Sequence, residues 1–319
     1  MSRSTPTIIR VDEIHRVNHL AALIESGKPG ITKMVTITAG VGFLLAALGR
    51  SGWAFQNLAL AAVGAIVGTA LASAGANALN MWYEADTDAK MRRTRNRPIP
   101  TGRLTRKQTV KTGVLLSIVG VLITLVFAGT AAALVCLLCV VSYVLLYTPM
   151  KTRTVWNTLL GTIPGALPPM IGAAAATPGF GHERLFSPVG WSLVALMVVW
   201  QIPHFLAIAW LYRDDYERGG HRMLPIIDRS GRLTSAVVVG TALLLIPATV
   251  LPVYAAPHML GVVTLVAAIA TGLAYLALCV RLALKRDDKA AKLVFFASII
   301  HLPVLLIVMV AEAGFRVLL

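Results

Sequence analysis

Charge is scarce in this chain. Asp, Glu, Lys and Arg make up 13% of its 319 residues, and only 14 are acidic. A soluble domain carries about a quarter charged residues, so a water-facing globular surface is excluded for most of the length. Cysteine is also rare. Cys136 and Cys139 form a C-x-x-C inside an apolar run, with no His or second pair nearby, and Cys279 sits in another such run. Small core residues on helix faces are the reading, rather than zinc or redox chemistry. Residues 1–30 lack the apolar core and cleavage site of a signal peptide, and Asp12, Glu13 and Glu25 suit a mitochondrial transit peptide poorly. The pattern Val11, Ile14, His15, Asn18, Leu20, Leu23 predicts a short surface helix ending at Gly27-Lys28-Pro29-Gly30.

What is present instead is apolar length. Hydrophobic residues make up 57% of the chain, mean hydropathy is +0.75, and apolar runs of about 20 residues recur. They predict an all-α polytopic membrane protein with nine spans at 32–50, 55–79, 109–129, 131–148, 157–176, 189–210, 233–253, 258–281 and 293–312. The third and fourth meet at Gly129 and Thr130, which predicts a tight helical hairpin. The net charge of +15 could point to nucleic acid, but its distribution argues against that. Of the 29 Lys and Arg, 26 fall in the N-terminal segment and alternate loops, and the other side holds only Arg50, Arg184 and Arg316. The positive-inside rule then places the N-terminus and charged loops in the cytoplasm and the C-terminus outside, with a bacterial plasma (inner) membrane as the simplest location. The expected organisation is a segment 1–30 followed by one transmembrane domain, 31–319. Two charged clusters four spans apart suggest that this domain is two pseudo-repeated four-helix halves plus a ninth helix.

The first cluster is the densest in chemistry. After the second span come Asn80, Glu84, Asp86 and Asp88, then Arg92, Arg93, Arg95 and Arg97. Continued as a helix at about 100° per residue, Asn80, Glu84 and Asp88 fall within an arc of about 80° and span about 12 Å, while Asp86 points elsewhere. Amide and carboxylate oxygens suit Mg²⁺, which takes one or two carboxylates together with substrate phosphate, and arginine suits phosphate. The plainer alternative is a solvated helix end with ordinary i, i+4 charges. Acids stacked this closely repel one another without a cation, which favours the metal-diphosphate reading.

The second cluster, Arg213, Asp214, Asp215, Glu217, Arg218, His221 and Arg222, follows the sixth span on the same side. Alone it is an ordinary loop; opposite the first it offers Asp214 or Asp215 to a second metal and Arg213 to phosphate. Tyr147 and Lys151 close the fourth span at that same face, where a hydroxyl and an ammonium suit phosphate oxygens. His204, one residue after Pro203, lies within a span, where ionisable groups usually face the bundle interior or a cavity; a hydrogen-bonded structural His beside a kink is the equal alternative. His301 beside Pro303 shares that ambiguity. Gly161 to Gly172, with Pro164, Pro168 and Pro169, predicts a kinked span with room for a bulky ligand.

These residues resemble the motifs of the UbiA superfamily of intramembrane prenyltransferases, over about residues 28 to 312. The family motif of an Asn and acids at four-residue intervals, followed by R-T-x-N-R-P, reads here Asn80, Glu84, Asp88 and Arg93-Thr94-Arg95-Asn96-Arg97-Pro98. Its tyrosine and lysine pair matches Tyr147 and Lys151. The A-L-P-P core within Asn157–Gly172, P-H-F at Pro203–Phe205, and Asp214-Asp215-Tyr216 leading to Met223-Leu224-Pro225 are similar to the haem-modifying branch. Three departures stand out. Glu84 stands where the family usually has Asp, the second cluster lacks the spaced acids of the quinone-making branch, and His221-Arg222 stands where a small apolar residue and proline are expected.

The resemblance implies a UbiA-type helical bundle that transfers a farnesyl group from farnesyl diphosphate to haem b. Mg²⁺ would sit at Asn80, Glu84 and Asp88, with Asp214 or Asp215 for a second ion. Lys151, Tyr147, Arg93, Arg97 and Arg213 would take the diphosphate, and His204 would contact haem. A haem A synthase or an oxidase assembly would receive the product. Prenylation of an aromatic acceptor is the rival within the family. A transporter would hold its acids near the membrane midplane, whereas these cluster at one face with arginines. An assembly subunit would not need the acids.

Overall fold

The computed structural model describes residues 11–50, 54–177 and 181–318, with the backbone alone for 11–18. Arg3 and Arg10, counted above among the N-terminal charges, lie outside the described residues. Among the described residues, a surface helix, α1 (Val11–Ser26), precedes nine helices long and apolar enough to span a membrane. These are α2 (Pro29–Leu48), α3 (Phe55–Tyr83), α5 (Arg106–Ala128), α6 (Thr130–Met150), α7 (Asn157–Ala176), α8 (Pro188–Leu211), α10 (Arg232–Ala255), α11 (Val262–Lys285) and α12 (Asp288–Leu318). Two short helices of 6 residues each, α4 (Ala85–Lys90) and α9 (Arg213–Arg218), lie in the charged loops, and a 4-residue turn of helix, Leu224–Ile227, follows α9. No strand occurs among the described residues.

Neighbouring spans pack pairwise along the chain, and α2 closes the arrangement by packing on α7 and touching α12. The most apolar 18-residue windows of α7 and α8 are 78% and 67% buried, against 22–39% for the other spans. These two therefore form the centre, and the rest present one face outward. Lipid supplies no hydrophobic drive between helices, so close backbone approach matters. Gly75 and Gly120 permit it where α3 crosses α5. A Cβ at Gly75 would stand 2.4 Å from the Ser117 nitrogen, and one at Gly120 would stand 2.3 Å from that of Ala72.

Several expectations are met in detail. Gly129 alone, with φ +94°, joins α5 to α6. α7 breaks at Leu167, before Pro168 and Pro169. The eighth span starts at Val262 rather than 258. Glu312 of α12 accepts hydrogen bonds from the Val263 and Thr264 amides (3.4 and 2.8 Å) and so caps the helix there. Among the described residues, Lys28, Glu84, Asp88, Arg93, Arg97, Lys151, Tyr216 and His221 from several charged loops come together to line one cavity.

Candidate active site

The helix of α3 pauses at Glu84 (φ −85°, ψ 4°) and resumes as α4. Two backbone bonds bridge the pause, Glu84 N–H to Asn80 O (2.9 Å) and Asp88 N–H to Glu84 O (2.7 Å). The i, i+4, i+8 row therefore survives. Asp86 turns out to solvent and pairs with Arg106.

Each member of the row meets one cation. Lys28 donates to Asn80 Oδ1, whose Nδ2 donates to Thr148 Oγ1 at 2.9 Å. Lys151 Nζ stands 2.7 Å from Glu84 Oε1, an ion pair outside directed hydrogen-bond geometry. Arg97 Nη1 donates to Asp88 Oδ2 at 2.6 Å. Burial pulls Lys28 down to about 7, aided by the neighbouring Arg97 charge. Burial alone pushes Glu84 up, but Lys151 and Lys28 outweigh it and hold the carboxyl at about 2. Burial also works against the Lys151 ammonium, yet Glu84 reverses the sign and leaves it above its ordinary value. Asp88 differs: burial pushes it up, and Arg97 does not fully offset that.

These oxygens fit a hard divalent cation. Asp88 Oδ1 is buried without a hydrogen-bond partner, so one carboxylate oxygen remains for a further positive group beside Glu84 and the Asn80 amide. Among the described residues no group of three His, Cys, Asp or Glu comes together as a metal site; the row holds two acids and an amide.

Glu84 and Asp88 of the row line a cavity of about 330 Å³, whereas Asn80 is fully buried and lies outside its lining. Lys28, Glu84, Asp88, Arg93, Arg97, Lys151, Tyr216 and His221 line its charged mouth, and Ile31, Val35, Cys136, Cys139, Val140, Ile171, Phe205 and Ile208 line its apolar length. Its wall on α3 runs from Thr69 to Glu84, about 22 Å at 1.5 Å per residue. Tyr147 lines it too, at the end of a π-helical stretch, Ser142–Tyr147, with the Lys151 ammonium 4.7 Å from its ring centre. Such stretches rotate the residues that follow and are frequent at functional sites.

Arg93 reaches the mouth across the second loop. Its guanidinium lies 5.0 and 5.4 Å from the rings of Tyr212 and Tyr216 and donates to Tyr216 Oη at 3.1 Å. Asp215 accepts from the Arg92 and Arg93 amides (3.0 and 3.2 Å) and from Arg218. Its oxygens are therefore taken by donors in the loops, and it lies outside the cavity lining. Asp214 is exposed. Neither acid expected at a second metal joins the row.

Two other expected residues are placed elsewhere. Arg213 pairs with Asp288 of α12 at 2.8 Å and donates to Trp210 O. His204 stacks between Trp200 and Phe295, with ring centres 4.8 and 5.6 Å away, and its Nδ1 lies 2.6 Å from Ser298 Oγ. α8 presents Phe205 and Ile208 to the cavity instead. His301 is buried against Tyr275, also away from the cavity.

Sequence reasoning did not assign Lys28 and His221 to the site. The signal for Lys28 was its place in the Gly27–Gly30 break on the charged side, where its φ of +48° turns the chain into α2. His221 was visible in the second cluster and as a departure from the family pattern, but neither gave it a role. Burial, with Lys151 next, pulls its imidazole down to about 4.

A nine-span helical bundle with an oxygen row and arginines at the mouth of an apolar slot defines an intramembrane prenyltransferase. The sequence pattern of the UbiA prenyltransferase family matches residues 34–300, and the chain belongs to that family. Among its relatives, "Protoheme IX farnesyltransferase" of Solibacter usitatus (strain Ellin6076) is 40% identical over 290 residues, covering 88% of this chain and 95% of that protein. The protein of the same name from Salinibacter ruber (strain DSM 13855 / M31) is 36% identical over 286 residues, 89% of this chain and 96% of its own. The fold is shared with a solved structure described as "Structural and mechanistic insights into the biosynthesis of Digeranylgeranylglyceryl phosphate synthase in membranes" (TM-score 0.73, 14% identity, 92% of this chain and 98% of the other). It is shared also with a UbiA homolog from Archaeoglobus fulgidus bound to GPP and Mg²⁺ (TM-score 0.53, 14% identity, 91% and 99%).

Proposed function

We propose that this protein transfers a farnesyl group from farnesyl diphosphate to a vinyl group of haem b, in a bacterial inner membrane, with its charged mouth toward the cytoplasm. The observation that carries the reading is Glu84 and Asp88 facing Lys151, Arg93 and Arg97 at one end of an apolar slot, with the buried Asn80 next in their row. A molecule that is anionic at one end and isoprenoid at the other matches such a slot. The near full-length match to relatives named for protoheme farnesylation supports haem as acceptor.

Asn80, Glu84 and Asp88 would hold Mg²⁺, which supplies charge neutralisation at the diphosphate. Lys28 stands on Asn80 Oδ1 and must move aside for it. Lys151, Arg93 and Arg97 take up the charge that grows as the C–O bond to diphosphate breaks, the electrostatic contribution that usually dominates such steps. Tyr147 adds a polar edge beside Lys151. The allylic fragment, held in the dry part of the slot, forms its C–C bond to the vinyl group; water then adds a hydroxyl and releases a proton. A haem A synthase or oxidase assembly is the fitting recipient of the product.

Mass spectrometry of haem extracted after incubating purified protein with haem b, farnesyl diphosphate and Mg²⁺ tests this. The expected result is a mass gain of farnesyl plus water that disappears on chelation. Unchanged haem beside a prenylated aromatic acid would move the acceptor to the aromatic class.

A further inference from the structure

His221 is held in place by backbone bonds on both sides. Gly220, at φ +74°, turns the chain after α9. The His221 amide donates to Tyr216 O (2.9 Å), and the next amide, of Arg222, donates to Lys151 O (2.8 Å). Asn157 Nδ2 then donates to Arg222 O (2.7 Å). The loop is thereby fastened to the end of α6 beside Lys151. The imidazole is 4% exposed, stands edge-on to Tyr216 at 5.4 Å, and lines the charged mouth.

Neither ring nitrogen has a hydrogen-bond partner. Leaving a buried polar group unpaired is destabilising, so a purely structural His is poorly placed there. An apolar residue would pack in this loop without that cost, and the family pattern expects one. The charged groups around the ring decide what its partner is. Lys151, Arg93 and Arg97 outnumber Glu84, which selects an anion over a metal ion.

We infer that His221 is a further diphosphate-contacting residue, donating a ring N–H to a phosphate oxygen of the prenyl diphosphate beside Lys151. This rests on the prenyl-transfer reading above. It adds a neutral donor beside the charged groups of the mouth, on an element distinct from the oxygen row.

The test is calorimetric titration of the detergent-purified full chain with inorganic pyrophosphate at saturating Mg²⁺, for wild type, His221→Phe, His221→Gln and His221→Asn. A hydrogen bond to a charged oxygen predicts an affinity about tenfold or more weaker in His221→Phe. His221→Gln, which keeps an N–H, recovers most of the loss. In turnover, the KM for farnesyl diphosphate rises as the pyrophosphate affinity falls. Equal affinity of His221→Phe and wild type overturns the contact. So do amide variants as weak as the phenylalanine, which would leave the ring only a packing role. If His221→Phe fails to fold, the smaller His221→Leu, which also lacks an N–H, is compared with His221→Gln by the same criterion. A wild-type protein that binds no pyrophosphate overturns the prenyl-diphosphate reading itself, and the contact with it.

Discussion

The carboxylate of Asp215 accepts the backbone N–H of Arg93 at 3.2 Å, across 122 residues of sequence. With the Arg92 amide on its other oxygen, it clamps the first charged loop to the second and sets where the Arg93 side chain enters the mouth. Burial pushes this carboxyl up, but Arg218 and the two amides pull it below the ordinary carboxylate range. In Asp215→Ala two amides lose a charged acceptor, at about 1–3 kcal/mol of local stability. The expected outcome is a lower thermal midpoint and reduced turnover with unchanged Mn²⁺ affinity, read by electron paramagnetic resonance. A parallel loss of Mn²⁺ binding would return Asp215 to the metal site.

Asp88 gives the opposite pattern. It is fully buried, its Oδ2 is on Arg97 and its Oδ1 is unpaired. Asp88→Asn keeps the shape but removes the charge that a divalent cation needs. Turnover should fall by at least about a hundredfold, the scale seen when one electrostatic contributor to a transition state is lost. The protein stays folded, because the abandoned Arg97 side chain is 23% exposed and can reach water. Activity together with circular dichroism checks both halves. Retained activity would take Asp88 out of the site.

Lys28 donates to Asn80 Oδ1, the oxygen that the proposed metal ion would also need. Lys28→Gln removes the competing ammonium, so Mn²⁺ alone, without diphosphate, should bind about tenfold more tightly, a gain of about 1.4 kcal/mol. Lys28→Arg should not show this gain. Unchanged or weaker Mn²⁺ binding in Lys28→Gln would mean that the ammonium helps assemble the row rather than occupying it.

The fold was legible because lipid imposes a simple code: apolar runs of spanning length, and basic residues on one side. The oxygen row was equally legible, since helical spacing alone aligns Asn80, Glu84 and Asp88. Long-range pairing was not. Asp214 and Asp215 read as metal ligands because acid next to acid near arginine is the same string whether the carboxylates face a cation or cap amides 120 residues away. Arg213 read as phosphate-binding for the same reason, and its partner Asp288 belongs to the last helix. His204 was placed in the right span, but helical phase cannot say which face of α8 meets the cavity. The structure turns Phe205 and Ile208 there.

Acid sensitivity follows from His221. Its folded value of about 4 lies below the ordinary 6.5, because burial and then Lys151 disfavour the cation. The unfolded chain therefore binds more protons between those values, and stability falls as pH drops through this window. Above pH 6.5 the His221 contribution is fully present; it is progressively lost toward pH 4, and below that the loss levels off. A displacement of this size corresponds to about 3 kcal/mol at full effect. Glu84, held at about 2, adds its own loss only at still lower pH. Thermal unfolding of the diphosphate-free protein from pH 7.5 to 4.5 should thus show a smaller decline for His221→Phe than for wild type, whatever the two midpoints are at pH 7.5. Parallel declines would mean that the imidazole takes up its proton in the folded protein as readily as in the unfolded chain.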